Sequence, residues 1–273
     1  MCIRIHQRAS GIKLARAHGH LQELHGEIDT FFESPPFQIA LHRDESELNY
    51  VLVGYLTHWL LEMVPTIIGG CLQNMRVAID HLAWALAEFT GEEPPHNTVF
   101  PIYLDSADFH ALTNMGKPAP WSGPKKIEAV SDEVQEAIEE LQPYHADDPE
   151  LHPLWILNEY SHIDRHRTTS VIYALSDYTD FDVGTLDSSS ELVSLPEDMV
   201  THLGLTSGAS YHGTELDRFT LKEPVPDLQV KYDSPFYIAF GQRYISIGDP
   251  LEVLGDIHEH IEQMVLPKFA KFF

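Results

Sequence analysis

Cysteine is almost absent. Cys2 and Cys71 are the only two in 273 residues, too few for a disulfide scaffold and without the paired spacing of a zinc ribbon. Such usage points to a reducing cytoplasm. The opening residues, MCIRIHQRASGIKLARAHGH, hold no apolar run of signal-peptide length, and no later stretch of about 18 uninterrupted apolar residues occurs, so neither export nor a membrane span is expected. Cations are scarce as well. Seventeen Lys and Arg stand against 42 Asp and Glu, a formal charge of −25. That field repels nucleic acid and anionic membranes. It excludes a DNA-coating role and admits RNA only in a local basic pocket. Also missing are Gly-x-x-x-x-Gly-Lys-Ser/Thr, a Gly-x-Gly-x-x-Gly after a strand, and Gly-x-Ser-x-Gly, the usual signals of nucleotide binding and serine hydrolysis. There is no internal repeat and no low-complexity tract.

What is present is a globular composition, 43% hydrophobic and 10% aromatic, with enough apolar surface to offset chain entropy. Histidine is abundant, 17 residues, and neutral imidazole is both a general base and a metal ligand.

Apolar residues at spacings of three and four predict a helix over 10–32, stopped by Ser34-Pro35-Pro36. Residues 37–41 and 48–56 read as a hairpin. Pro65 opens the strongest helix, running to about Glu88 and ended by Thr90-Gly91. Six prolines and three glycines make 91–125 a long ordered loop with a short helix at 106–113. Ser131 looks like the start of a helix ended by Gln142-Pro143, and another runs from Pro153 to Arg167. The runs 170–175, 215–221, 228–232, 236–240 and 244–247 read as strands of an antiparallel sheet, and Asp249-Pro250 begins a last helix to Phe273. The fold class expected is α+β, in one compact domain or subdivided at 168/169.

Stepping about 100° per residue gives the second helix two faces. Met75, Ile79, Leu82, Leu86 and Phe89 form a core stripe. Asn74, Val77, His81, Trp84 and Glu88 line another side, either a second packing or dimer surface or the wall of a pocket that tunes His81. Arg76 and Asp80, one turn apart, are placed to pair. On the later helix Glu159, His162 and His166 share a narrow arc. Glu-x-x-His is the pairing of di-iron carboxylate bundles, which need a second such pair and two more Glu. A divalent transition metal held by Glu159, His162 and His166 is thus one reading. A metal-free, cofactor-free set is the other: His81 and His166 as acid and base, Arg76 and Arg167 for a phosphate, with Asp80 and Glu159 orienting them.

Residues 73–84, Gln-Asn-Met-Arg-Val-Ala-Ile-Asp-His-Leu-Ala-Trp, resemble the Leu-Arg-Ser-Ala-Leu-Asp-His-Leu helix of a group of uncharacterised bacterial proteins. That group also has Phe-Pro-Ile, here Phe100 to Ile102, Leu-Gln-Pro-Tyr, here Leu141 to Tyr144, and Ile-Asp-Lys-His-Arg, here Ile163 to Arg167 with Arg165 for Lys. Its Arg-Ala-x-x-His-Leu matches Arg16, Ala17, His20 and Leu21. Arg76 and His81 are also similar to the Arg-x(4–6)-His motif of HEPN domains, helical bundles of which many members are metal-independent ribonucleases with the motif at a dimer cleft. That resemblance implies a homodimer that cleaves RNA. Here Val77 replaces the usual polar residue after Arg, and the motif falls mid-helix. A small-molecule or partner-subunit binding protein is the non-catalytic alternative.

Overall fold

The computed structural model describes residues 3–33, 37–45, 48–56, 63–90, 93–166, 171–175, 180–205, 208–210, 214–233, 236–240 and 249–273. The fold is α+β, with helices dominating the first half and antiparallel strands the second before a helical end. In chain order the elements begin with α1 (Ile3–Phe32), β1 (Phe37–Arg43), β2 (Asn49–Leu56) and α2 (Met63–Glu88). Two single-turn helices, α3 (Ser106–Phe109) and α4 (Gly123–Lys126), punctuate the proline-rich segment, and α5 (Asp132–Glu139) and α6 (Pro153–His166) follow. The strands are β3 (Val171–Leu175), β4 (Asp180–Leu186), β5 (Leu192–Ser194), β6 (Val200–Leu205), β7 (Gly208–Ser210), β8 (Thr214–Leu221), β9 (Gln229–Asp233) and β10 (Phe236–Phe240). Helices α7 (Pro250–His260) and α8 (Leu266–Phe269) close the chain.

The backbone gathers into two units. Unit 1 holds Met1–Gly26, Glu62–Thr169 and Pro250–Phe273, and unit 2 holds Glu27–Leu61 and Ser170–Asp249. The grouping is discontinuous in sequence: the β1–β2 hairpin joins the later strands, and the terminal helices join the earlier ones.

Unit 2 contains three antiparallel sheets in the orders β1-β2-β8-β6, β10-β3-β7 and β5-β4-β9, where one sheet was expected. Tyr50 stacks on Phe219 at 5.1 Å, and with Val183 and Leu221 they form a buried cluster. Strands β4, β5, β6 and β7 have no counterpart among the predicted runs. Three-residue β5 and β7 carry too little pattern to detect, and Asp180, Asp182 and Gly184 interrupt β4 with residues that strands disfavour. The run predicted at 244–247 lies outside the described residues.

Unit 1 is organised by α2, which contacts α6 and α7. Ser131 caps α5 by accepting from the Val134 N–H. The terminal helix widens into one π-turn at Ile261–Val265, just before Pro267, which has no N–H to continue the ladder. Gly123 sits flat against the buried ring of Phe109, where a Cβ would collide.

At the start of α6 the Leu154 N–H donates to His152 Nδ1 at 3.2 Å, so the cap requires a neutral imidazole. The His260 ring lies edge-on at 4.9 Å. Burial, and then His260, pull the His152 pKa from 6.5 to about 4. The unfolded chain therefore binds this proton at higher pH than the folded one. The contribution is complete above about 6.5 and is lost as pH falls through 4. Urea unfolding at pH 7 and pH 4.5 should show this loss, and His152→Gln should flatten it.

Candidate functional site

The half-buried positions of α2 from Gly70 onward are Gly70, Gln73, Asn74, Arg76, Val77, Asp80, His81, Trp84 and Glu88, and those between them are buried. At 100° per residue these nine positions cover one continuous arc of about 160°. Arg76 and His81 lie towards its two sides, with Asp80 between them. Met75, Ile79, Leu82 and Leu86 are buried, as the core stripe requires, whereas Phe89, just past the helix, is exposed. Trp84 Nε1 donates to Glu88 Oε1 at 3.2 Å.

Arg76 is the best-defined side chain of the arc, 12% exposed. Its Nη2 donates to Asp80 Oδ1 at 2.9 Å and to the Phe100 carbonyl at 2.7 Å. The Phe100 N–H donates to the same Asp80 oxygen at 3.0 Å. One ion pair therefore holds both polar groups of the Phe100 backbone against mid-helix α2. Arg76 Nη1 is buried with no hydrogen-bond partner among the described residues. Burial depresses the Arg76 pKa most, Asp80 opposes this, and Arg165 adds to it. A guanidinium nevertheless stays charged.

A second cation reaches the same place from α4. Burial lowers the Lys126 pKa, neighbouring Arg76 lowers it further, and Asp80 opposes both. Lys126 Nζ lies 4.7 Å over the Tyr103 ring, a cation–π contact that offsets part of its lost hydration. Tyr103 donates its hydroxyl to the Trp121 carbonyl, and burial, then Asp108, push its pKa up to about 12. Gln142, 1% exposed, accepts from the Tyr103 N–H at 3.0 Å and donates to the carbonyls of Pro101 at 2.9 Å and Ile138 at 3.1 Å. It fixes the 100–103 strap through Pro101 and Tyr103, next to the Phe100 groups held by Arg76 and Asp80.

The third cation comes from α6. Arg165 Nε donates to the Ser161 carbonyl at 3.2 Å, and Gln73 Nε2 reaches that carbonyl at 2.8 Å and Asp164 Oδ2 at 3.3 Å. Asp164 also packs on Gly69, where only a missing Cβ leaves room. Elsewhere on α6, Glu159 is half-buried and His162 is exposed. Of His166 only the backbone is described, and Arg167 lies outside the described residues. Among the described residues no three His, Cys, Asp or Glu side chains converge as metal ligands. No helix among them is long and apolar enough to cross a membrane.

The structure thus joins Arg76 and Asp80, as their spacing predicts, and adds Lys126, Arg165, Gln142 and the Phe100 backbone. The five segments that carry the family resemblance all lie in unit 1, and four of them interlock. Arg76 and Asp80 bind the Phe-Pro-Ile strap, Gln142 binds it from the Leu-Gln-Pro-Tyr turn, and Gln73 donates to Asp164 of the last segment. Cys71 Sγ donates to the Ala17 carbonyl at 3.5 Å, which ties the first-helix segment to α2. Lys126 had one signal in the sequence, its place in an acid-free stretch. A separate pocket of about 390 Å³ at the end of α2, bordered by Phe89, Val134 and Phe273, contains none of the expected site residues. Comparison with known proteins finds no match: no family model, no curated protein and no solved structure is significantly similar to this chain.

Proposed function

We propose that unit 1 binds the phosphodiester backbone of RNA beside Arg76 and cleaves it without a metal. What supports this reading is that Lys126 of α4 and Arg165 of α6 are each near enough to Arg76 of α2 for their charges to act on one another, in a chain of net charge −25. Of the carboxylates nearby, Asp80 is engaged by Arg76 and the Phe100 N–H. The exposed Arg165 offers a charge-assisted donor to a phosphoryl oxygen. His81, across Asp80 on the same arc, takes the proton of a ribose 2′-hydroxyl. The O2′–P bond forms as P–O5′ breaks, and O5′ takes a proton from a second imidazole, assigned to His166. The product is a 2′,3′-cyclic phosphate. The test is cleavage of single-stranded RNA by wild type and His81→Ala in excess EDTA.

The half-buried Val77 and Trp84 favour a second reading, in which this arc seats a partner subunit. A dimer seen by sedimentation and lost in Trp84→Glu would support it, whereas a monomeric wild type would oppose it.

A further inference from the structure

Residues 110–126 contain Lys117, Lys125 and Lys126 and no Asp or Glu. The segment is built, not loose. Leu112 bridges Pro118, the Ala119 N–H donates to Ala111 O at 2.8 Å and the Thr113 N–H to Lys117 O at 2.7 Å. Gly116 turns it at φ 71°, in the left-handed region. Buried Ser122 donates to Ala119 O at 2.8 Å. Three large apolar side chains nevertheless face water: Leu112, Met115 at 81% and Trp121 at 62% exposed. Tyr103 connects this surface to the site, since it holds the Trp121 carbonyl by its hydroxyl and Lys126 over its ring.

We infer that this segment is a platform for single-stranded RNA, on which Trp121 stacks a base while Lys117 and Lys125 follow the backbone towards Lys126 and Arg76. The inference rests on the cleavage reading above and names the form of its substrate. A base on an indole and phosphates on lysines are the two contacts that single-strand binding needs. Lys125 is paired with exposed Glu128, an exchange that a phosphate can make at little cost because surface pairs contribute about 0–1 kcal/mol. Trp, Met and Leu beside lysines also suit an anionic membrane. A planar anionic surface, however, would meet the acidic remainder of the protein, whereas a single strand touches one narrow path.

The probe is a fluorescein-labelled 12-nucleotide 2′-O-methyl RNA, which binds but is not cleaved, followed by anisotropy with the full chain. Trp121→Ala should weaken binding roughly ten-fold, the scale of one stacked base, and Trp121→Phe should restore most of it. Lys117→Gln with Lys125→Gln should lower the salt slope by about 1.4, two single-strand phosphates. Unchanged affinity in Trp121→Ala overturns the platform. So does a wild type that fails to bind the strand, whether or not it binds phosphatidylserine vesicles. Failure of the platform is separable from failure of the cleavage reading. A Trp121→Ala enzyme with wild-type affinity and EDTA-resistant cleavage sinks the first alone, and a wild type that binds through Trp121 without cleaving sinks the second alone.

Discussion

Asp80→Ala is expected to destabilise unit 1 by about 2–4 kcal/mol, towards the lower part of the range for breaking a buried pair because Asp80 keeps 26% of its side chain exposed. The substitution removes the acceptor of both Arg76 Nη2 and the Phe100 N–H. It leaves a buried guanidinium, already opposed by the charge of Arg165, with its paired carboxylate gone. Asp80→Asn keeps an acceptor of the same shape and loses only the charge, so its cost is smaller, about 1–3 kcal/mol. Arg76→Met combined with Asp80→Ala recovers part of the loss, because no buried charge remains unpaired. Three of the four tryptophans, Trp84, Trp121 and Trp155, belong to unit 1, so tryptophan fluorescence during urea unfolding reports mainly that unit. A cost for Asp80→Ala below about 0.5 kcal/mol, as for an exposed pair, would show that the latch is not buried in solution.

How much of this was legible in the sequence depends on how local each feature is. The two sides of α2 follow from stepping around the helix, and Arg76 with Asp80 follows from their spacing of four. Ser131 announced its helix because a hydroxyl before an apolar period is a cap. The hairpin announced itself through two apolar runs around a charged turn. Non-local features were silent. Nothing in the local pattern says that Phe100, 20 residues beyond Asp80, returns to it, or that Gln142 is buried to hold the same strap. Lys126 was hidden for a different reason: lysine is usually solvated, and its place over the Tyr103 ring is a tertiary contact. Strand β4 was missed because its aspartates and glycine argue locally against a strand, and pairing with β5 and β9 overrides them.

His81→Ala is expected to slow RNA cleavage by 10²–10⁴-fold, roughly the value of a positioned general base, with binding of the uncleavable strand unchanged. The substitution leaves the Arg76–Asp80–Phe100 latch intact. Arg165→Gln should act differently and raise KM more than it lowers kcat, since Arg165 is exposed and contributes field at the phosphate without touching the proton. These two profiles separate chemistry from binding within one cluster. The most direct measurement is the time course of a defined single-stranded RNA with wild-type protein and His81→Ala in excess EDTA, with the product ends identified. The expected result is 2′,3′-cyclic phosphate ends from the wild type and almost none from the variant. No cleavage by the wild type, or equal cleavage by both proteins, would contradict the assignment of an RNA-cleaving site on α2.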